Sequence, residues 1–337
     1  MDRKIDNYKT FLEALASIAD EKENVLEFAH GAFIELEKEI EISSCKGSVF
    51  IKGNGAVLKG KGRGTALTIE GDKFNICGLS FIEFDVGIFI RSSKNNTKNI
   101  KVEECDFHQI NNACIMTGIL NSEHSIENIE ITNNLFEAPA AVKEAHNAGH
   151  VACATCFFNA LYNQEDHPIF DAVLKDVIWR NNKTIANTID GNQFSEGLMA
   201  HGACNYAFFE GTDMVCTSLN DVYNCRFENL LIENNVVEGV HDIGITVLAS
   251  FPGRHDNVLE NVIIRNNRIT YFNTGINVGA TNQCSSADVS RMYARHILIE
   301  NNILKPMNPG PFEPQIGIML FTTRCESQMQ NCTDCHM

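Results

Sequence analysis

The sequence predicts an all-β chain wound as a single parallel solenoid of about ten coils. Three observations predict it. A short phrase ending in an Asn pair recurs along the chain, a second phrase built around Gly follows each copy, and no helical period separates the two.

The first phrase reads Ile131-Thr132-Asn133-Asn134, Trp179-Arg180-Asn181-Asn182, Ile232-Glu233-Asn234-Asn235, Ile264-Arg265-Asn266-Asn267 and Ile299-Glu300-Asn301-Asn302. Another apolar residue stands two positions before each leading one: Ile129, Val177, Leu230, Val262 and Ile297. Ile100 and Val102 begin a further copy, in which Glu104-Cys105 replaces the Asn pair. Apolar residues at a period of two describe a short strand with one buried face. Asn tolerates the left-handed backbone region and bonds to nearby backbone, so each strand runs into a tight bend.

The second phrase begins at Asp85-Val86-Gly87-Ile88, Ser195-Glu196-Gly197-Leu198, Asp242-Ile243-Gly244-Ile245, Asn273-Thr274-Gly275-Ile276 and Gln315-Ile316-Gly317-Ile318, with a looser copy around Asn147. It reads as a polar turn followed by another strand. The second Asn of each pair falls at 134, 182, 235, 267 and 302, giving spacings of 48, 53, 32 and 35. The last two spacings fit one coil with a loop, and the first two fit one coil with long insertions. A single coil cannot bury its apolar face alone, so the coils must stack. At the ~4.8 Å strand spacing, equivalent Asn side chains lie one above another and bond as a ladder.

Residues 25–324 resemble the pectate-lyase-like superfamily of right-handed parallel β-helices. The resemblance is carried by the Asn and Gly phrases and by the opening runs Gly47 to Gly60, Thr65 to Gly71 and Asn75 to Phe81. It implies a right-handed coil with extended glycans bound on one lateral face. It does not choose among the many reactions this fold carries.

Residues 1–24 are expected to form an N-terminal capping segment, and residues 25–337 the β-helix. Phe11, Leu12, Leu15, Ala16, Ile18 and Ala19 have the spacing of an amphipathic helix over residues 8–19. Such a helix would plug apolar core and open strand edges at the first coil. No comparable cap follows the last coil. The expectation there is a truncated chain, or an end covered by a partner or a second subunit.

The formal net charge of −16 argues against nucleic acid and anionic membranes as partners. It also disfavours a polyanionic glycan unless Ca²⁺ or a local basic patch bridges it. No stretch is long enough to span a membrane. Acidic residues Asp2, Asp6, Glu13 and Asp20 interrupt and flank the only candidate signal sequence. With 13 Cys and no evident signal, free thiols in a reducing, cytoplasmic compartment are expected, with an extracellular location as the alternative.

Chemistry is expected in the insertions, which fall mainly at 138–147, 157–175, 186–195 and 205–227. Glu196 and Asp242 lie one coil apart, where two carboxyls can reach the ~5–9 Å separation used in glycoside hydrolysis. His241 adjoins Asp242, and His201 lies past the strand that follows Glu196. The same residues also serve as ordinary turn formers. Asn187-Thr188-Ile189-Asp190-Gly191 is similar to the Asn-Thr-Asp segment of polygalacturonases, which makes Asp190 a candidate. The later polygalacturonase pieces, an Asp-Asp pair and Gly-His-Gly, do not follow.

A lyase of this fold would use an Arg or Lys base and carboxylate-bound Ca²⁺. Arg254 and His255 are the best loop pair, and Arg91, Arg291, Arg295 and Arg324 are others. No acidic run resembles a Ca²⁺ loop. Substrate contacts are assigned to His255, Asn277, Tyr162, Tyr206 and Phe208, with Phe157, Phe158 and Phe209 as further aromatics that either stack on sugars or pack the insertions. Cys332-Thr333-Asp334-Cys335-His336 has the spacing of haem attachment, and with Cys325 the make-up of a zinc site. Unpaired thiols are the simpler reading, and no cofactor is expected.

The leading reading is a carbohydrate-active enzyme of glycoside-hydrolase type. A polysaccharide lyase or epimerase is the alternative, and a non-enzymatic glycan-binding or structural β-helix, such as a tail-fibre or surface protein, is the third.

Overall fold

The computed structural model describes residues 4–18, 23–45, 47–137, 152–158, 169–186, 195–201, 208–210, 213–215, 222–240, 243–251, 257–271, 273–282, 292–307 and 315–323. The chain is a parallel β-helix. Its strands pair in parallel from coil to coil, apart from one short antiparallel hairpin of Phe208–Glu210 with Asp213–Val215.

Each coil carries up to three strands. One coil runs Val86–Ser92, Thr97–Glu103 and Asp106–His108, and the next runs Ala113–Ile119, Ser125–Thr132 and Leu135–Glu137. We call the three stacks faces I, II and III. Face I continues through Ala152–Phe158, Ser195–His201, Ile243–Phe251, Thr274–Asn282 and Ile316–Thr323. Pairing along face II is uninterrupted, from Ile100 to Ile129, Val177, Leu230, Val262 and Ile297.

The bend between faces II and III explains the Asn pair. The first member takes positive φ: 58° at Asn133, 56° at Asn181, 57° at Asn234 and 56° at Asn266. The second turns inward and is buried. Asn235 Nδ2 donates to Trp179 O at 3.0 Å and to Asn267 Oδ1 at 2.9 Å, while its own Oδ1 accepts from Asn182 N at 2.9 Å. The same pattern joins Asn134 to Asn182 and Asn267 to Asn302. Bend amides that no strand can use are satisfied by the next coil.

A second polar column runs outside face II. Asn99 donates to Asp72 at 2.7 Å, Asn128 to Asn99 at 2.6 Å, Asn229 to Asp176 at 2.8 Å and Asn261 to Asn229 at 3.1 Å. These residues also hold positive φ, between 57° and 60° for Asn128, Asp176, Asn229 and Asn261.

The Gly of the second phrase has a packing cause. A Cβ at Gly244 would sit 2.3 Å from Ile269 Cγ2 and 2.6 Å from Gly275 O. At Gly87 it would sit 2.5 Å from Cys114 O. The chain turns into face I too close to the core for any side chain. Inside, Phe81, Phe107, Phe136 and Trp179 stack along the axis at 4.9, 5.3 and 6.4 Å between ring centres. Trp179 Nε1 donates to Thr155 Oγ1, so the indole brings its polar group into the core satisfied.

The N-terminal helix runs Tyr8–Ala16 and ends before the apolar spacing does, where the Ser17 backbone and hydroxyl bond back to Ala14 O. Asn7 caps its start in a capping box with Thr10. Phe11 is fully buried edge-on against Phe28, and Ile5 bridges to Phe28 in parallel. At the other end, the last described strand leaves Ile318 and Leu320 exposed. No helix is long and apolar enough to cross a membrane among the described residues.

Glu70 ties face I to the turn that starts face II. Its side chain is fully buried. Oε1 accepts from Ser93 N, Lys94 N and Asn95 N, and Oε2 from the Ser93 hydroxyl and from Arg91 Nε at 3.0 Å. Burial alone would push its pKa up. The backbone amides and the hydroxyl outweigh that and hold it at about 2.

Two tests follow from these contacts. Asn235→Ala should cost about 3 kcal/mol in a urea melt, because it orphans the buried Asn182 amide and Trp179 carbonyl of the preceding coil. Asn229→Ala, on the exposed column, should cost about 1 kcal/mol. Glu70→Gln should lower stability by about 3 kcal/mol at neutral pH. Because the folded pKa is depressed, that gap should stand above the ordinary Glu range of about 4.3. It should close as pH falls through about 2. A gap of constant size across that window would refute the assignment.

Candidate functional site

The three faces are chemically different on the outside. Face II is tiled with ion pairs that cross from coil to coil: Lys175 to Glu127 at 3.2 Å, Arg180 to Glu130 at 3.1 Å, Arg265 to Glu233 at 2.8 Å and Arg226 to Glu260 at 2.9 Å. Face I carries no such tiling across its middle among the described residues. Its outer column runs in register through Phe89, Met116, Cys156, Met199, Thr246, Asn277 and Met319.

Strand parity sets this column outside the main core. Thr155 and Phe157, either side of Cys156, point inward, the first to Trp179 and the second into the core. Ile276 and Val278 flank Asn277 in the same way. Met116, Cys156, Thr246 and Asn277 of this column are nonetheless buried. Met116 and Cys156 pack with Val86, Ala113 and Cys153 in a separate apolar cluster, against which Phe89 and Leu120 lie. Thr246 is 2% exposed and Asn277 4%. Asn277 Oδ1 is buried without a hydrogen-bond partner.

At the N-terminal end of face I the surface is charged. Arg91 bridges Glu70 and Glu41, and the Thr68 hydroxyl bonds Glu39. Burial would lower the Arg91 pKa, but hydrogen bonds to Glu41 and Glu70 raise it overall. Arg91 therefore stays protonated and is not the free base that a lyase reading would ask of it. Arg295 is likewise paired with Glu260.

The thiols are structural. Cys77, Cys105, Cys114 and Cys156 are free, and Cys153 and Cys225 are buried. Burial pushes Cys105 and Cys225 up to about 12, and Cys114 upward as well. A thiol held neutral by burial is a filler rather than a nucleophile. No group of three His, Cys, Asp or Glu side chains able to hold a metal ion occurs among the described residues.

The residues singled out from sequence distribute as follows. Glu196 and His201 both lie on the face I strand Ser195–His201, paired with Cys153 and Phe158. His201 also pairs with Leu248 of the next coil. Phe208 lies in the antiparallel hairpin. The description of Glu196, His201 and Phe208 stops at the backbone. Asp190, His241, Asp242, Arg254, His255, Tyr162 and Tyr206 lie outside the described residues, as do Cys325, Cys332, Cys335 and His336.

Phe157 corrects one expectation. It is fully buried in the core, because its strand runs to Phe158 and places it on the inward parity. It cannot stack on a sugar. Asp85 and Gln315, of the polar column before each Gly, bond locally: Asp85 accepts from Gly64 N and Asn111 Nδ2, and Gln315 donates to Met307 O. They are turn residues. Sequence reading missed Glu70 and Thr246. An alternation pattern marks them only as polar residues of a strand.

No protein-family model matches the chain. No curated protein matches it either. Among solved structures it is similar to the crystal structure of alginate lyase from Paenibacillus sp. str. FPU-7, with a TM-score of 0.47, 14% identity, and coverage of 95% of this chain and 98% of that one. It is also similar to the catalytic domain of a GH87 α-1,3-glucanase in complex with nigerose, with a TM-score of 0.16 and 9% identity. That match covers 86% of this chain but 63% of the glucanase chain, less than two thirds of it. No residue role is carried across from either protein.

Proposed function

We propose that this chain is a carbohydrate-active enzyme of glycoside-hydrolase type, acting on a poly- or oligosaccharide laid along the outer side of face I. The observation that carries the reading is convergence on adjacent strands of one face. Glu196 and His201 belong to the strand Ser195–His201, and Asn277 to Thr274–Asn282. Asp190 precedes the first of these in sequence, His241 and Asp242 precede Ile243–Phe251, and Arg254 and His255 follow it. Glu196, His201 and Asn277 thus belong to strands of one face, whose middle lacks the ion-pair tiling of face II among the described residues.

In this reading Glu196 and Asp242 form the carboxyl pair. One, its pKa raised by burial or by the other's charge, protonates the glycosidic oxygen as the bond to the leaving sugar breaks. The other either activates water or attacks the anomeric carbon, and their separation selects inversion or retention. His201 and His241 would orient the pair and Asp190 would assist it. Arg254, His255, Tyr162, Tyr206 and Phe208 would hold the sugar rings. This chemistry needs no metal. The lyase alternative retains Arg254 as its base, while Arg91 and Arg295 are committed to carboxylates.

Glu196→Gln and Asp242→Asn should each lower release of reducing ends from the responsive polysaccharide by about 10²–10⁴-fold. Thermal melting should stay near wild type. Full turnover in both variants removes this pair. Products absorbing in the ultraviolet as unsaturated sugars would mark a lyase instead.

A further inference from the structure

We propose that the last described coil is an interface, and that its occupant is a second copy of this chain, met end to end across a two-fold axis. This assembly is independent of the catalytic reading.

Strand parity exposes the site. Ile318 and Leu320 point toward the core, in register with Ile276 and Val278 of the coil before. Ile276 and Val278 are buried, at 0% and 4% exposure, whereas Ile318 and Leu320 are 46% and 51% exposed. Ile297, Ile299 and Leu304, on the other two faces, are only partly buried, while their register partners Val262, Ile264 and Ile269 are fully so. Core side chains thus meet solvent at this end.

The backbone has the same gap. Among the described residues, the strands Met292–Glu300, Ile303–Pro306 and Ile316–Thr323 each pair with the preceding coil alone, whereas Asn257–Arg265 pairs on both sides. Asn302 accepts from Asn267 N at 2.9 Å, and the Asn ladder has no further rung among the described residues. Open strand edges beside exposed apolar side chains form a template for pairing with another chain.

Charge and geometry select a copy of this chain as that partner. The chain carries a net charge of −16, so two copies repel over most of their surface. The described residues of the last coil carry Arg295 and Lys305 against Glu300, which makes this end one place where copies can meet without that repulsion. The opposite end is closed by the helix Tyr8–Ala16, with Phe11 fully buried against Phe28. Copies therefore cannot join head to tail, and an end-to-end contact must be isologous. A two-fold axis across the solenoid sets the meeting strand edges antiparallel, a direction in which they can bond. Residues 324–337 lie outside the described residues, and their sequence holds no Ile, Leu, Val, Phe, Tyr or Trp with which to seal the core.

The mass of the full chain is measured in solution by light scattering, and its amide exchange by mass spectrometry. The expected mass is twice the 37.5 kDa of one chain. Ile318→Lys and Leu320→Lys each bring two like charges together at the two-fold contact, and should return the mass to that of one chain. Phe33→Lys, at an exposed apolar residue near the closed end, should leave the dimer intact. In the wild-type dimer, amides of Met292–Glu300 and Ile316–Thr323 should exchange as slowly as those of Asn257–Arg265. This pattern needs no variant, so it decides the matter even where a Lys variant fails to fold: fast exchange in the last coil overturns the proposal. A wild-type monomer overturns it as well, and slow last-coil exchange in that monomer would show that the chain covers its own end. A mass of three or more chains overturns the two-fold arrangement. A dimer that survives both Lys variants, or is lost in Phe33→Lys, lies on another surface and overturns the assignment.

Discussion

Each coil of this protein depends on the next to complete its bends. A strand entering the turn between faces II and III must bend sharply within two residues. The first Asn supplies the left-handed conformation and the second the carboxamide that accepts the freed amide of the preceding coil. The bond is cooperative by construction. A buried carboxamide is acceptable only if all its groups are used, and they are used only when coils lie above and below. Stacking is thus a condition of each bend.

The same constraint separates structure from function. Faces II and III are joined by the Asn bend, and face II is further laced by cross-coil ion pairs. Such partly exposed pairs add little energy each, yet they leave those outer positions occupied. The glycines that open face I press its backbone onto the core, so its outer column keeps a regular register from coil to coil. A rigid, evenly spaced column beside long insertions is a natural scaffold for a ligand with a repeating chain.

Much of the fold was legible because its signals are local. Alternation at a period of two needs only a few residues. The Asn pair marks its own bend, and the Gly marks the approach to the core. The outer column of Asn99, Asn128, Asp176 and Asn229 was readable too, since each directly precedes the recurring apolar pair of a face II strand. Glu70 was not readable. Its partners are backbone amides of Ser93, Lys94 and Asn95, more than twenty residues downstream and bearing no side-chain signature. Phe157 was read at the start of an insertion, either stacking on a sugar or packing; its strand ends one residue later, at Phe158, and its ring lies in the core. Most of the candidate site falls in or beside the insertions, where length and composition do not dictate a path.

By itself, then, the sequence determined that this chain is a stack of parallel strands with Asn at one corner and Gly at another, because those residues answer to constraints within a single coil. Tertiary structure alone decided which polar side chains are satisfied and which are not. Asn235 and Asn277 are the same residue, one at the inward bend and the other within a face I strand. One is bonded on every side and the other is buried with a free carbonyl, a difference set by what the neighbouring coils place beside each.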